Sequence, residues 1–287
     1  MRMRQLKHHS LAHSLGAWLV KLGAWLVLLF LMLPILVIVP LSFNAEPFFS
    51  FTEGMLRLDP QAWSLKWYAE IFNSPQWFLA IRNSIFIGVC ATLLATSLGT
   101  LAAVGLASAD MPFRRVITAL LLSPMIVPLI IVAAGMFFFY SRFQLVGSFT
   151  GVVLAHAALG VPFVIITVTA TLRGFDPSLY RAALSLGASP LLAFRQVVLP
   201  LIRPGVITGA LFAFGTSFDE IVLVLFLAGP EQTTIPRQMF SGLREQISPA
   251  ILAVATLLIV LSTALLLTLE GLRRRAGRIR DTQATVP

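Results

Sequence analysis

The chain has 287 residues, of which 57% are hydrophobic and only 11% are charged, and its formal net charge is +9. Because a soluble domain carries about 25% charged residues, this composition excludes a water-soluble protein and predicts one compact helical bundle in a lipid bilayer. The basic residues are scattered through short segments between apolar runs, which indicates membrane topology and argues against nucleic acid as a partner.

Six apolar segments follow one another along the chain. Each is long enough to cross a bilayer core of about 30 Å, which takes about 20 helical residues. Each is predicted to be helical, because backbone polar groups in lipid must find hydrogen-bond partners within the segment. The predicted spans are Leu22–Leu41, Ser84–Ala107, Val116–Tyr140, Gly151–Leu172, Gly205–Leu227 and Ile251–Leu269. The predicted fold class is an all-α membrane protein with six transmembrane helices.

Lysine and arginine are unevenly distributed between the two sides that these spans define. Fifteen fall in the N-terminal segment, the second and fourth loops and the C-terminal segment, and six fall in the other loops. The positive-inside rule then predicts that both termini are cytosolic. The predicted organisation is a cytosolic tail at 1–21, a six-helix transmembrane domain at 22–272 and a basic cytosolic tail at 273–287. Within the domain, an outer loop is predicted at 42–82 and a cytosolic loop at 173–204.

Small residues occur at a fixed spacing in the long cytosolic loop. Ala182 and Ala183 are followed four residues later by Gly187, and further on by Leu199 and Pro200. Side chains this small let a second protein approach the backbone closely. The loop is therefore predicted to contain a short helix that presses into a groove of a partner protein.

This short helix has start and stop signals of its own. Asp176 or Ser178 can cap its first turn, with Pro177 in the first helical position. Gly187 or the Ser189–Pro190 pair can end it. The turn into the fifth span is predicted at the two prolines that follow, Pro200 and Pro204.

The spacing in this loop resembles the motif E-A-A-x3-G-x9-I-x-L-P of bacterial ABC-importer permeases. The matching residues are Ala182, Ala183, Gly187, Leu199 and Pro200. Val197 stands where isoleucine is usual, and Arg181 where glutamate is usual. Five further segments are similar to the second permease of spermidine/putrescine-type importers, so the resemblance covers about Ser42 to Leu269. They are Ser42–Asn44, Lys66–Tyr68, Arg82–Ser84, Gly174–Asp176 and Ser217–Glu220.

The resemblance implies a type I importer permease in the bacterial inner membrane, working by alternating access, with a periplasmic loop at 42–82. It implies three partners: a cytosolic ATPase dimer, a second homologous permease subunit and a periplasmic substrate-binding protein. The loop that couples to the ATPase would be formed by Arg181, Ala182, Ala183, Gly187, Leu199 and Pro200. ATP and Mg²⁺ would act on the ATPase, because this chain has no G-x-x-x-x-G-K-[ST] loop. The chain itself is expected to bind no cofactor and to be no enzyme.

Two adjacent acids mark a candidate substrate path. Asp219 and Glu220 lie within the fifth predicted span, where a carboxylate costs about 2.5 kcal/mol or more and usually faces a cavity or a partner. Phe212, Asp219 and Phe226 recur every seven residues and would share one helix face, with Phe218 nearby. Acid and aromatic groups suit an organic cation, which favours a polyamine and Asp219 as its contact. The alternative is that the acids pair with a partner permease.

Stripes of small residues at four-residue spacing predict close helix packing. The two stripes are Ala95, Gly99, Ala103 and Ala107, and Gly205, Gly209, Ala213 and Ser217. His156 is isolated in the fourth predicted span and is interpreted as a packing residue in preference to a proton relay. No carboxylate or cysteine accompanies the other histidines, so a metal site is not expected.

Two other functions are compatible with parts of this pattern. The same machinery can import an opine, an amino-acid-like compound or an organophosphonate, because the cytosolic loop says nothing about cargo. A more remote alternative is an intramembrane enzyme, but the sequence lacks the H-E-x-x-H and G-x-S-x-G motifs that such chemistry uses.

Overall fold

The structure, a computed structural model, describes residues 11–108, 111–245, 248–264 and 267. The first ten residues, the predicted C-terminal tail at 273–287 and the end of the sixth predicted span lie outside these residues. Two compact units are present, residues 74–241 and the residues before and after them. The helices are α1 (Leu11–Leu41), α2 (Glu53–Leu56), α3 (Lys66–Asn73), α4 (Pro75–Ala107), α5 (Arg114–Leu122), α6 (Leu129–Ser141), α7 (Phe149–Leu172), α8 (Pro177–Ser185), α9 (Pro190–Ala193), α10 (Leu199–Phe218), α11 (Val222–Leu227), α12 (Ile235–Glu245) and α13 (Ala250–Ala264).

The all-α, multi-pass prediction is confirmed for the described residues. Four helical stretches are long and apolar enough to cross a membrane, and a fifth is obtained if one bent helix pair forms a single span. The four stretches are Gly16–Leu41, Pro75–Ala107, Phe149–Leu172 and Pro190–Phe218. The count of six stays a prediction, because α13 is a shorter apolar helix within the described residues.

Two helices begin before the spans predicted for them. α1 begins at Leu11, inside the predicted tail, and α4 begins at Pro75, where Ser74 caps the first turn with its side chain. Ser84, the first residue of the predicted second span, lies in the third turn of α4. Hydropathy locates the lipid-facing part of a helix, whereas caps decide where the helix begins.

The third predicted span is two helices instead of one. The stretch Arg114–Met125 and α6 meet at 101° across a short break. Pro124 lies in a 3-10 turn at the end of the first helix, and Pro128 is the residue directly before α6. Proline has no backbone N–H and blocks the preceding turn, so two prolines four residues apart interrupt the helix here.

The turn predicted at Pro200 and Pro204 is also wrong. The chain is helical from Pro190 to Phe218, and the turn comes earlier, at Ser189, which caps α9. A π-helical segment, Phe194–Val198, joins α9 to α10. Pro200 has no backbone N–H to donate. The wider turn of the π-helical segment leaves room for the proline ring, so the helix continues through Pro200.

Helices α4, α7 and α10 pack together through the predicted small-residue stripes. Ala95, Ala103 and Ala213 are buried in the cluster that joins them. A Cβ atom on Gly99 would lie 2.7 Å from Val164 Cβ, and one on Gly209 would lie 2.8 Å from Val164 Cα. Close backbone approach therefore requires glycine at both positions, as the packing interpretation predicts.

The residues after α1 form a separate hydrogen-bonded cluster. Trp67 donates its indole N–H to the Asn44 carbonyl at 2.7 Å, and Ser42 and Tyr68 share a hydrogen bond of 2.7 Å between their hydroxyls. The Asn44 amide donates to the carbonyls of Phe48 and Ser50. The segments Ser42–Asn44 and Lys66–Tyr68 thus share one structural role, which is to fix the start of the outer loop.

Candidate functional site

The short helix predicted in the cytosolic loop is present as α8. Asp176 caps it: one carboxylate oxygen accepts from the Ser178 backbone N–H at 2.8 Å and the other from the Ser178 hydroxyl at 2.7 Å. Pro177 occupies the first turn, as expected. The Ser178 side-chain and backbone hydrogen bonds lower the pKa of the Asp176 carboxyl, and the charge of Arg181 adds to this. The cap therefore stays ionised at neutral pH.

Gly187 ends α8 in a Schellman motif. Its φ is +89°, in the left-handed region. The Gly187 N–H donates to the Leu184 carbonyl at 3.0 Å, and the Ala188 N–H donates to the Ala183 carbonyl at 3.1 Å. This pair of bonds satisfies carbonyls that the end of a helix leaves free. The glycine of the motif is thus required by backbone conformation, because a residue with a Cβ is strained there.

Most of this segment is exposed and rich in leucine. Arg181 and Ala182 are exposed, and Ala183 is partly buried. Exposed leucines surround them, namely Leu179, Leu184, Leu186, Leu191 and Leu192. Leu186 is 89% exposed. An apolar surface outside the spans and next to such small side chains is typical of a protein-docking site.

Leu199 and Pro200 have a different place in the structure. Leu199 packs against the cluster that joins α4, α7 and α10, and Pro200 lies in the first turn of α10. Both residues thus belong to the continuous helix that follows α8, and the exposed leucines lie on α8 and α9.

The predicted placement of the two acids within one helix is wrong. α10 ends at Phe218, Asp219 is its C-cap residue, and α11 starts at Val222. Glu220 is buried, and its Oε1 accepts from the Leu223 backbone N–H at 2.9 Å. This side chain therefore caps the first turn of α11, which stabilises the interruption.

Asp219, in contrast, is exposed. Its carboxylate forms no hydrogen bond or salt bridge with any residue that the structure describes. The carboxylate of Asp219, which the sequence analysis favoured as the substrate contact, is therefore free to bind a ligand, whereas that of Glu220 is occupied by the Leu223 N–H. The two acids have separate roles because the break turns their side chains into different surroundings.

Phe226 does not share a helix face with Phe212 and Asp219, because the break between α10 and α11 lies between Asp219 and Phe226. Phe212 stacks on Phe163 of α7, with ring centroids 6.1 Å apart. Phe218 stacks on Phe214 within α10 at 5.5 Å. The heptad argument assumed an unbroken helix and fails here for that reason.

Phe226 instead lines a cavity of about 470 Å³ between α6 and α11. Phe137 and Phe138 of α6 form the opposite wall. Sequence reasoning missed these two residues, although the run of three phenylalanines at 137–139 was a visible signal. Three aromatic rings around one cavity give a surface suited to an alkyl chain or an organic cation.

Buried polar side chains join several of these helices. His156 of α7 is 1% exposed, and its Nδ1 forms a 2.8 Å hydrogen bond with the Ser217 hydroxyl. The Asn83 amide donates to the carbonyls of Glu231 and Thr233 at 2.7 and 3.0 Å. Ser84 accepts from the Ile235 N–H at 2.8 Å. These bonds hold α10 against α7, and α4 against the segment that follows α11.

Comparison with known proteins gives consistent similarities. The family described as binding-protein-dependent transport system inner membrane component matches residues 95–278. The chain is 31% identical over 249 residues to the spermidine/putrescine transport system permease protein PotC of Haemophilus influenzae, covering 86% of this chain and 93% of that protein. It is 33% identical over 241 residues to the putrescine transport system permease protein PotI of Escherichia coli, covering 80% and 82%. The crystal structure of a bacterial ABC transporter that imports the acidic polysaccharide alginate has a similar fold, with a TM-score of 0.68 and 16% identity over 93% of this chain and 98% of that chain.

Proposed function

Since the chain belongs to the family of binding-protein-dependent transport system inner membrane components, we propose that it forms half of the path by which a polyamine enters a bacterial cell. The chain is a transport permease. Its cargo would be spermidine or putrescine, as the names of the two relatives indicate for those proteins. A second, homologous permease subunit in the inner membrane would form the other half, and a periplasmic binding protein would deliver the cargo.

One observation supports a cationic cargo above the others. Asp219 is an exposed carboxylate at the break between α10 and α11, with no hydrogen bond or salt bridge to a described residue. An unpaired acid at membrane depth is costly unless it faces a cavity, water or a charged ligand. A polyamine ammonium group supplies the missing positive charge, and the phenylalanines of α6 and α11 can contact the alkyl segments between ammonium groups.

The docking surface of α8 and α9 is the proposed coupling site to a cytosolic ATPase dimer. Small side chains at Ala182 and Ala183 let the partner lie close to the backbone, and the surrounding leucines supply apolar contact area. ATP and Mg²⁺ would act on that ATPase, and this chain would bind no cofactor. Closure of the ATPase dimer would move α8, and with it the continuous helix that runs from Pro190 to Phe218, so that the path opens to the other side.

Radiolabelled polyamine uptake by the assembled transporter tests the role of Asp219. Asp219→Asn keeps the shape of the side chain and removes its charge. Because a hydrogen bond to a charged group contributes about 1.5–3 kcal/mol, the apparent KM for spermidine is expected to rise about 10- to 150-fold. Glu70→Gln, which removes an exposed acid from α3, is the matched control and is expected to leave the KM unchanged. Equal uptake kinetics in wild type and Asp219→Asn would contradict the assignment.

A further inference from the structure

A second cavity lies within the unit of residues 74–241. It has a volume of about 330 Å³ and is formed by the end of α4, by α5 and by the last two turns of α7. Arg114 and Arg173 line it together with the hydroxyl-bearing Thr118 and Thr169. The remaining lining residues are apolar: Leu106, Leu122, Ile165, Ile166 and Ala170. By the positive-inside rule, both arginines lie at the cytosolic face of the membrane.

The charged part of this cavity has no anionic partner among the described residues. Neither Arg114 nor Arg173 forms a salt bridge with a carboxylate in that part of the chain. Arg114 also opens α5, and the preceding residue, Phe113, contributes no side-chain cap to the first turn. The uncapped N–H groups of a helix start add positive potential to that of the two guanidinium groups.

Thr169 adds a second polar group to the lining, beside the two arginines. Its hydroxyl oxygen is buried and has no hydrogen-bond partner in the part of the chain that the structure describes. Thr118, on the facing helix, is satisfied because its hydroxyl donates to the Arg114 carbonyl at 2.8 Å. A buried hydroxyl without a partner costs free energy, so groups of this kind are nearly always paired in proteins.

We propose that this cavity binds an anionic phospholipid of the cytosolic leaflet. The phosphate would lie between Arg114 and Arg173, and an acyl chain would run along the apolar wall of α7. Free inorganic phosphate fits less well, because most of the lining is apolar and donates no hydrogen bonds to such an ion. Basic pockets between transmembrane helices at the cytosolic face are a recurrent form of anionic-lipid site. Since Arg173 directly precedes the segment that leads to α8, the lipid would also hold the base of that docking surface.

Native mass spectrometry of the assembled transporter, purified through a tag on this chain, tests the proposal. Phosphatidylglycerol and phosphatidylcholine are titrated as separate probes, and inorganic phosphate is added as a competitor. The wild type is expected to retain phosphatidylglycerol selectively and to keep it when phosphate is added. Arg114→Gln with Arg173→Gln is expected to weaken phosphatidylglycerol binding by roughly 25-fold, about fivefold for each arginine near the membrane surface.

Two further variants separate a built site from general surface charge. Arg115→Gln removes the same charge one residue away, from a side chain that does not line the cavity, and is expected to change the affinity less than twofold. Ala170→Phe fills the cavity and keeps both arginines, and is expected to abolish selective retention. The proposal is overturned if Arg115→Gln weakens binding as much as the double variant, if Ala170→Phe binds like the wild type, or if the wild type retains both lipids equally.

Discussion

Gly187 offers the sharpest test of how the cytosolic segment is built. Its φ of +89° lies in the left-handed region, and a Cβ atom there would meet nothing within 4 Å. Gly187→Ala therefore adds conformational strain without a steric clash. The left-handed region costs a residue with a Cβ about 1–2 kcal/mol, so the final turn of α8 is expected to open roughly 5–30 times more often.

Amide hydrogen exchange of the assembled transporter measures this opening directly. The amides of Gly187 and Ala188 close the helix end, so their protection is expected to fall by that factor in Gly187→Ala. Gly187→Asn is the matched control, because asparagine tolerates left-handed backbone better than alanine, and it is expected to retain most of the protection. The effect should stay local, with protection in α7 unchanged.

Polyamine-stimulated ATPase activity reports the functional consequence. If α8 must be formed before the ATPase docks, the apparent affinity of the ATPase falls in proportion to the fraction of folded helix. If protection falls in Gly187→Ala but the ATPase stimulation is unchanged, the last turn of α8 is not needed for the ATPase to dock. Equal protection in the wild type, Gly187→Ala and Gly187→Asn would refute the strain argument itself.

Three further predictions concern single contacts. Glu220→Ala removes the acceptor of the Leu223 N–H and is expected to destabilise the purified protein by about 1 kcal/mol, whereas Glu220→Gln keeps an acceptor oxygen. Thermal unfolding compares the two variants, and equal midpoints would contradict the capping role. Ala182→Trp adds bulk to an exposed position, so co-purification of the ATPase should fall while thermal stability is unchanged; normal recovery of the ATPase would count against docking at this face. Ser217→Ala leaves His156 Nδ1 without its partner and is expected to lower the free energy of unfolding by about 1–3 kcal/mol. Ser97→Ala, which removes a hydroxyl bonded only within its own helix, is expected to lower it less. Equal losses in the two variants would contradict a stabilising role for the His156–Ser217 bond.

The features that the sequence predicts well are those that depend on local chemistry. Asp176, Pro177 and Gly187 determine the ends of α8 through a cap, a fixed φ and a left-handed residue. All three are among the start and stop signals visible in the sequence, which left Ser178 and the Ser189–Pro190 pair open as alternatives. The small-residue stripes are equally direct, because Gly99 and Gly209 have to admit Val164 at close range. Such signals do not depend on which other helices surround them.

The features that the sequence does not predict depend on choices between competing hydrogen bonds. Nothing in the apolar run of the fifth span shows that the Glu220 carboxylate would take the Leu223 N–H and divide the helix. The π-helical segment before Leu199 likewise lets Pro200 lie inside a continuous helix, although a proline ordinarily predicts a helix end or a turn. Because the heptad pairing of Phe212 with Phe226 assumed an unbroken helix, the aromatic cavity with Phe137 and Phe138 was missed.

The central claim is that this permease admits a polyamine through a path that includes Asp219. ATPase activity of the reconstituted transporter with its binding protein, measured with spermidine, putrescine, an opine and a phosphonate in turn, tests that claim most directly. Stimulation by a polyamine alone, weakened in Asp219→Asn, is the predicted result. Stimulation by the opine or the phosphonate, with none by a polyamine, would contradict the assigned cargo and leave the exposed carboxylate without its ligand.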